Sequence, residues 1–197
     1  GNAYGWLVSK TSLRRTEDSL KLMTEGAVFG FFARAVRLSK DKHTIILLTN
    51  VRAATNFLPD IERGITDILY DRAPQPPKRS IAEALLATIK QKGVNPALEQ
   101  FRNLRSKQQN RYSFTEDELN NLGYFLLNNM RKVQDAIEMF KLNVTEYPQS
   151  SNAYDSLGQA YMVSGDKELA IKNYQRSLEL NPQNKNAIEM LKKLQPN

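Results

Sequence analysis

Apolar and polar residues alternate with a period of two through most of the first fifty positions. The runs at 4–9 (YGWLVS), 20–25, 31–38 and 44–50 are rich in β-branched and aromatic residues, which predicts strands. Ser39-Lys40-Asp41-Lys42 separates the last two runs, as a short hairpin connection would. From Phe57 to Tyr70 the period changes. Leu58, Ile61, Ile65, Ile68 and Leu69 recur at helical spacing, so one helix is expected to close a small antiparallel sheet.

The segment 73–78 (APQPPK) interrupts this pattern. Its prolines fix φ and remove backbone donors, so it reads as a short stiff spacer. Everything beyond it has helical periodicity. Ile81, Ala84, Leu85 and Ile89 share one helix face, and Gly93 is the expected stop. Asn95-Pro96 predicts an N-cap followed by proline at the first helical position. Thr115-Glu116-Asp117-Glu118 predicts a capping box, with reciprocal bonds between the Thr115 hydroxyl and the Glu118 carboxylate. The fold class expected is therefore α+β for the first part and an all-α helical-repeat solenoid for the second. The expected boundaries are 1–72, a linker at 73–79, and 80–197.

An internal repeat organises the second part. Tyr154, Leu157, Gly158, Tyr161, Ala170, Tyr174 and Pro182 resemble the tetratricopeptide pattern over 151–184, with Ser177 where a further alanine is usual. Gly158 and Ala170 let two helices approach, the tyrosines fill the space between hairpins, and Pro182 ends the second helix. Ala136, Phe140 and Pro148 precede their counterparts by 34 residues, whereas Leu122-Gly123 precede Leu157-Gly158 by 35. The copy at 116–150 thus holds one extra residue, expected near Asn128-Asn129. Residues 80–111 form a degenerate hairpin with Ala97 and Phe101 in the small and aromatic slots. A capping helix is expected within 185–195, with Ala187, Met190, Leu191 and Leu194 inward.

Composition narrows the chemistry. The chain has 197 residues, 41% of them hydrophobic and 25% charged, which fits one or two folded domains. It has no cysteine, which excludes disulfides, thiolate zinc sites, iron–sulfur clusters and a cysteine nucleophile. His43 is the only histidine, so no His-rich metal site can form. No apolar run approaches membrane-spanning length, and no signal peptide opens the chain. Gly1 reads as a cleavage scar. The net charge of +7 is spread over both parts. Arg102, Arg105, Lys107 and Arg111, beside Tyr112, form the one basic cluster; it reads as an exposed helix end, with nucleic-acid binding through it as the weaker alternative. Glu116, Asp117 and Glu118 suit a helix N-terminus better than a metal site.

Gly5-Trp6, then Thr24-Glu25-Gly26, then Gly30-Phe31, then the run Ile45-Ile46-Leu47-Leu48-Thr49-Asn50 carry a second resemblance. Residues 2–72 resemble the C-terminal part of the serine β-lactamase and penicillin-binding-protein family, in its class C and esterase-like branch. The resemblance implies that Thr24, Glu25, Gly26 and Ala27 are the remnant of the third catalytic motif. Thr24 stands where a cationic or imidazole residue is usual, Gly26 admits substrate to the strand, and the Ala27 amide would be an oxyanion donor. Ser39-x-x-Lys42 and Ser164-x-x-Lys167 spell the nucleophile motif but fall in turns. Lys10-Thr11-Ser12 echoes the third motif without its flanking signature, and Ser150-Ser151-Asn152 reads as a helix cap. His43 reads as a solvated turn residue, and the sequon Asn143-Val144-Thr145 carries no reading. No Y-x-N loop occurs. The chain alone is therefore expected not to be an enzyme, while a longer parent would be a serine hydrolase of the bacterial periplasm or cell envelope. The resemblance also implies that the chain begins inside a domain and that the edge of the strand at 44–50 is open, to be covered by a second copy.

The repeat resemblance implies protein or peptide binding on the concave face of the first helices. The positions it assigns are Asp117, Asn120, Tyr124 and Leu127 in one repeat and Asn152, Asp155, Gln159 and Met162 in the next. None is Lys or Arg and two are Asp, so neutral or basic segments are expected to bind. The chain's own first half or linker is a further candidate occupant. No cofactor and no metal are expected.

Overall fold

The computed structural model describes residues 2–3, 6–14, 17–28, 30–50 and 58–195. Tyr4, Gly5 and Phe57, which figure in the expected strand and helix starts, lie outside them. Two compact units are present, 1–78 and 79–197.

The first unit is a five-stranded antiparallel sheet in the order β1 (Asn2–Ala3), β2 (Trp6–Arg14), β3 (Glu17–Val28), β4 (Phe31–Leu38) and β5 (His43–Thr49). β2 and β3 run well beyond the periodic stretches that predict them. Main-chain pairing from Leu7↔Met23 to Arg14↔Glu17 carries the polar positions, across one irregularity between Ser12 and Arg14. The turn at 39–42 joins β4 to β5, with Lys42 at φ 59° and the Ser39 amide on the Leu20 carbonyl at 3.1 Å.

Helix α1 (Leu58–Leu69) covers one face of this sheet. Val36, Leu38 and Ile45 form the core there, packed by Met23, Leu47, Ile65 and Tyr70. The apolar stripe that predicts α1 coincides only in part with the face it buries: Leu58 and Ile65 belong to both. Leu58, Glu62 and Thr66 point inward, while Ile61, Ile68 and Leu69 stay exposed. The cause is Glu62. Its carboxylate accepts from Arg34 Nη2 at 2.9 Å and Nε at 3.3 Å, and pairs with Lys21 Nζ at 2.7 Å. A buried charge must be paired, and this pairing fixes the helix rotation. The Pro-rich segment has contacts with α1. The Lys78 amide bonds the Asp60 carboxylate at 3.4 Å, and Pro74 lies 3.8 Å from where a Gly64 Cβ would stand, so the segment returns along α1.

The second unit is a series of helix hairpins: α2 (Ile81–Lys92) with α3 (Val94–Lys107), α4 (Glu116–Tyr124) with α5 (Val133–Glu146), and α6 (Ser151–Ser164) with α7 (Lys167–Leu180). Helix α8 (Lys185–Leu194) ends the series. Gly93, at φ 90°, closes α2 through its amide on the Ile89 carbonyl and directly precedes α3. The helix start is thus Val94, not Pro96, because one residue able to adopt positive φ makes the whole connection. Asn95 and Pro96 fall inside the first turn. Two short parallel strands, β6 (Arg79–Ser80) and β7 (Tyr112–Ser113), tie the start of the unit to the chain after α3.

The capping box at Thr115 is half formed. Thr115 accepts from the Glu118 amide at 3.4 Å, but the Glu118 carboxylate turns to the neighbouring helix. There it accepts from Ser80 Oγ at 2.5 Å and the Ala82 amide at 3.0 Å. Glu118 therefore supplements Ser80, the N-cap of α2, by satisfying one of that helix's orphan amides.

The extra residue of the 116–150 copy is a π-helical turn, Phe125–Asn129, closed by the Met130 amide on the Phe125 carbonyl at 3.1 Å. A single inserted residue widens one turn from i→i+4 to i→i+5, and the flanking helix continues. Phe101, Leu119, Leu126, Phe140 and Tyr174 are the bulky centre of the core that runs through all the hairpins.

Candidate functional site

The eight positions assigned to the concave face sit on α4, the π turn and α6. Tyr124 and Gln159 occupy the same repeat position on adjacent first helices. The Tyr124 hydroxyl donates to Gln159 Oε1 at 2.9 Å and lies 3.1 Å from Ser156 Oγ. The Tyr124 ring meets Phe140 edge-on, 5.1 Å between centroids. Burial is the main cause that raises its hydroxyl pKa; the Ser156 hydrogen bond opposes this. Asn152 is exposed and donates to Glu116 Oε1 at 2.9 Å. These two inter-repeat bonds stitch α4 to α6 along the face assigned from the repeat pattern.

The remaining positions diverge. Asp117 is exposed, and Asn120 and Met162 are half-buried. Leu127 is 6% exposed and belongs to the helical core. It lies inside the π turn, where the widened winding turns it away from the surface that its counterpart Met162 reaches. Asp155 is 9% exposed. Its carboxylate accepts from Asn184 Nδ2 at 3.1 Å and Asn186 Nδ2 at 2.8 Å, at the start of α8. Burial raises its pKa, and the two asparagine bonds partly offset this. Asn184 continues to Ser177 Oγ at 2.8 Å, and Ser177 donates to the Ser151 carbonyl at 2.8 Å. Asp155 is thus spent on holding the capping helix.

What is left is a strip of Asp117, Asn120 and Tyr124 beside Asn152, Gln159 and Met162. It carries one free carboxylate, amide dipoles, a phenol rim and a thioether, and no cation. A shallow cavity of about 470 Å³ adjoins it, lined by Glu116, Tyr147, Pro148, Gln149, Ser150 and Asn152 among others. Sequence reasoning missed the Asn184–Asn186 lock. The signal was present, since Asn186 stands 34 residues after Asn152 in the same repeat slot.

In the sheet unit, Thr24, Glu25, Gly26 and Ala27 lie on β3, paired with Ala35, Arg34, Ala33 and Phe32 of β4. Glu25 is ion-paired to Arg34 on the face covered by α1. A Cβ at Gly26 would meet nothing within 4 Å, so the strand backbone there is open to approach. A depression of about 640 Å³ at this end of the sheet is lined mainly by apolar residues, including Val28, Phe31, Phe32 and Leu48.

The two Ser-x-x-Lys matches hold structural hydroxyls. Ser39 Oγ donates to the Leu20 carbonyl at 2.9 Å and Ser164 Oγ to the Tyr161 carbonyl at 2.8 Å. Ser150 is the N-cap of α6, accepting from the Ala153 amide at 3.1 Å. In the basic cluster, Arg105 pairs with Glu146 at 3.3 Å and lies over the Phe114 ring at 5.0 Å. No described helix is long and apolar enough to cross a membrane.

Comparison with known proteins gives a match of residues 151–184 to the tetratricopeptide repeat family model. No protein of curated function matches the chain. Among solved structures, the first tetratricopeptide domain of Spaghetti (RPAP3), bound to the HSP90 peptide SRMEEVD, is similar. It has 24% identity and a TM-score of 0.40, covering 58% of this chain and 86% of that one. The first such domain of human RPAP3 has 23% identity and a TM-score of 0.41, with the same coverage. The Sgt2 domain from Aspergillus fumigatus has 17% identity and a TM-score of 0.40, covering 58% and 74%. Residues 151–184 are a tetratricopeptide repeat, and the chain is an antiparallel sheet followed by a helical region of that type.

Proposed function

We propose that the helical unit is a protein-interaction module that holds an extended neutral or basic peptide across α4 and α6. The observation that carries this reading is the Tyr124–Gln159 hydrogen bond at 2.9 Å, which sets equivalent positions of two first helices side by side. Around it, Asp117, Asn120 and Asn152 offer a charge and amides to a peptide backbone, while Tyr124 and Met162 offer apolar contact to its side chains. With no cation on the strip, an acidic tail finds no partner and a basic one finds Asp117. The module itself acts by binding rather than by catalysis.

The test is a peptide array scored by charge, followed by fluorescence anisotropy on the best binders. Asp117→Lys should weaken a basic peptide by about tenfold, the scale of a lost charge-assisted bond, and Tyr124→Ala by about the same through lost apolar contact. The acidic peptide SRMEEVD is the negative probe. Its binding more tightly than basic peptides would refute the assignment.

A second reading concerns the sheet unit. Residues 2–72 would be the tail of a β-lactamase-like serine hydrolase, with the repeats as an accessory of a longer parent in the bacterial cell envelope. The observation in its favour is the open backbone at Gly26 beside Ala27. A fluorescent penicillin incubated with the chain and followed by mass spectrometry should leave every serine unmodified, while the longer parent should be acylated.

A further inference from the structure

Among the described residues, four buried side-chain atoms have no hydrogen-bond partner within the protein: Asn120 Oδ1, Asn143 Oδ1 and Nδ2, and the Tyr174 hydroxyl. Three of the four belong to one pair of asparagines, on the facing helices α4 and α5. Asn143 is fully buried. Buried polar groups that find no protein partner are ordinarily satisfied by ordered water.

The next repeat shows what the place demands. Counting 35 residues along the first helix and 34 beyond it, Asn120 corresponds to Asp155, Asn143 to Ser177, Ser150 to Asn184 and Asn152 to Asn186. In that later copy one nitrogen, Asn184 Nδ2, joins the two helices. It donates to Asp155 Oδ1 at 3.1 Å and to Ser177 Oγ at 2.8 Å. A second, Asn186 Nδ2, donates to Asp155 Oδ2 at 2.8 Å. Neither donor has a working counterpart in the earlier copy. Ser150 keeps only the capping half of the Asn184 role. Its hydroxyl accepts from the Ala153 amide at 3.1 Å, as Asn184 Oδ1 accepts from the Ala187 amide at 3.3 Å. It has no amide nitrogen to extend inward. Asn152 has one, but donates to Glu116 Oε1 at 2.9 Å rather than to Asn120.

We infer that a buried water takes the place of Asn184 Nδ2 in the earlier copy and bridges Asn120 to Asn143. The repeat geometry sets these two side chains around one spot, as it sets Asp155 and Ser177. The occupant must donate to Asn120 Oδ1. It must also serve the Asn143 amide, whose two ends are a donor and an acceptor. A metal cation suits the oxygens but not the Nδ2 hydrogens, and an anion does the reverse. Water does both, and its size matches the single nitrogen that it replaces. The site lies on the core side of Asn120, between α4, α5 and the start of α6, and it needs no peptide on the strip.

Proton NMR of the full chain tests this. The side-chain amide protons of Asn120 and Asn143 should show cross-relaxation to water with the sign of a long-lived bound molecule rather than of exchange. Asn143→Leu nearly keeps the volume and removes the amide. It should lower the urea midpoint, because it takes away a satisfied group, whereas replacing an amide that was never satisfied would raise it. The double variant Asn143→Ser with Ser150→Asn copies Ser177 and Asn184. It should keep the wild-type midpoint and lose the water contact at Asn120. Absence of bound-water cross-relaxation from both amides in the wild type overturns the inference. So does an unchanged or raised midpoint for Asn143→Leu, or a double variant that keeps the contact.

Discussion

The ring of Phe140 occupies the place where a Gly123 side chain would stand, with its nearest carbon 2.6 Å from an ideal Cβ. Tyr174 holds the equivalent relation to Gly158 in the next repeat, but at 3.1 Å. Half an ångström separates two different outcomes. A mid-helix Gly→Ala change gains about 1 kcal/mol in helix propensity. Overpacking a tight core costs about 1–3 kcal/mol. At Gly123 the clash is with a fully buried ring that has nowhere to move, so Gly123→Ala should lose about 2 kcal/mol. At Gly158 the two effects should nearly cancel. Urea unfolding followed at 222 nm checks both, and equal losses would count against the geometry.

The π turn at 125–129 gives a second prediction. Asn128 and Asn129 are exposed, and the turn exists because the copy at 116–150 is one residue longer than the next. Deleting Asn128 should restore an α-helical turn and the 34-residue register, with stability unchanged or raised by about 1 kcal/mol. Deleting Leu126, which is fully buried, should unfold the hairpin. The two deletions differ by two positions, so a thermal melt that treats them alike would refute the insertion reading.

The repeat was legible because its determinants are local and categorical. Gly123, Gly158, Ala136 and Ala170 are small where helices touch, and their spacing survives in the sequence. Even the extra residue could be counted before its shape was known. The rotation of α1 was not legible. Leu58 and Ile65 pack inward as the pattern implies, but Ile61, Ile68 and Leu69 outweigh Glu62 in any hydropathy pattern, and only the partners Arg34 and Lys21, some thirty or forty residues away, turn Glu62 inward. The same limit hid the fate of Asp155 and Glu118. A carboxylate's sequence neighbours do not reveal whether it faces a ligand or caps another helix.

Asp155 yields a pH prediction. Burial is the larger cause of its shift and raises its pKa in the folded state. The folded protein therefore holds this proton more tightly than the unfolded chain. The associated stability is fully present below the ordinary carboxylate pKa and is lost as pH rises through the raised value. Asp155→Asn removes the titration. Wild-type stability, relative to that variant, should fall with rising pH across this window and be flat above it. The readout is urea midpoints of both proteins from mildly acidic to neutral pH. A relative rise instead would mean that the Asn184 and Asn186 bonds, which favour the charged form, dominate over burial.

The last prediction returns to Glu62. Glu62 and Arg34 are buried at 5% and 8% side-chain exposure, and the Arg34 guanidinium also meets Glu25. Removing one member of a buried pair strands the other charge and costs about 3–5 kcal/mol, whereas replacing both with apolar groups of similar size is often neutral or stabilising. Glu62→Gln keeps the shape of the side chain and should cost the sheet unit about 3 kcal/mol. Glu62→Leu combined with Arg34→Met should recover most of that loss, although Lys21 and Glu25 must then find solvent. Trp6, the only tryptophan in the chain, stands on β2 and reports on the sheet unit, while the helical unit dominates the signal at 222 nm. The single variant should shift the fluorescence transition and leave the helical one in place. If both transitions shift together, the ion pair is not local to the sheet unit. If the double variant is no better than the single, Glu62 does not set the rotation of α1.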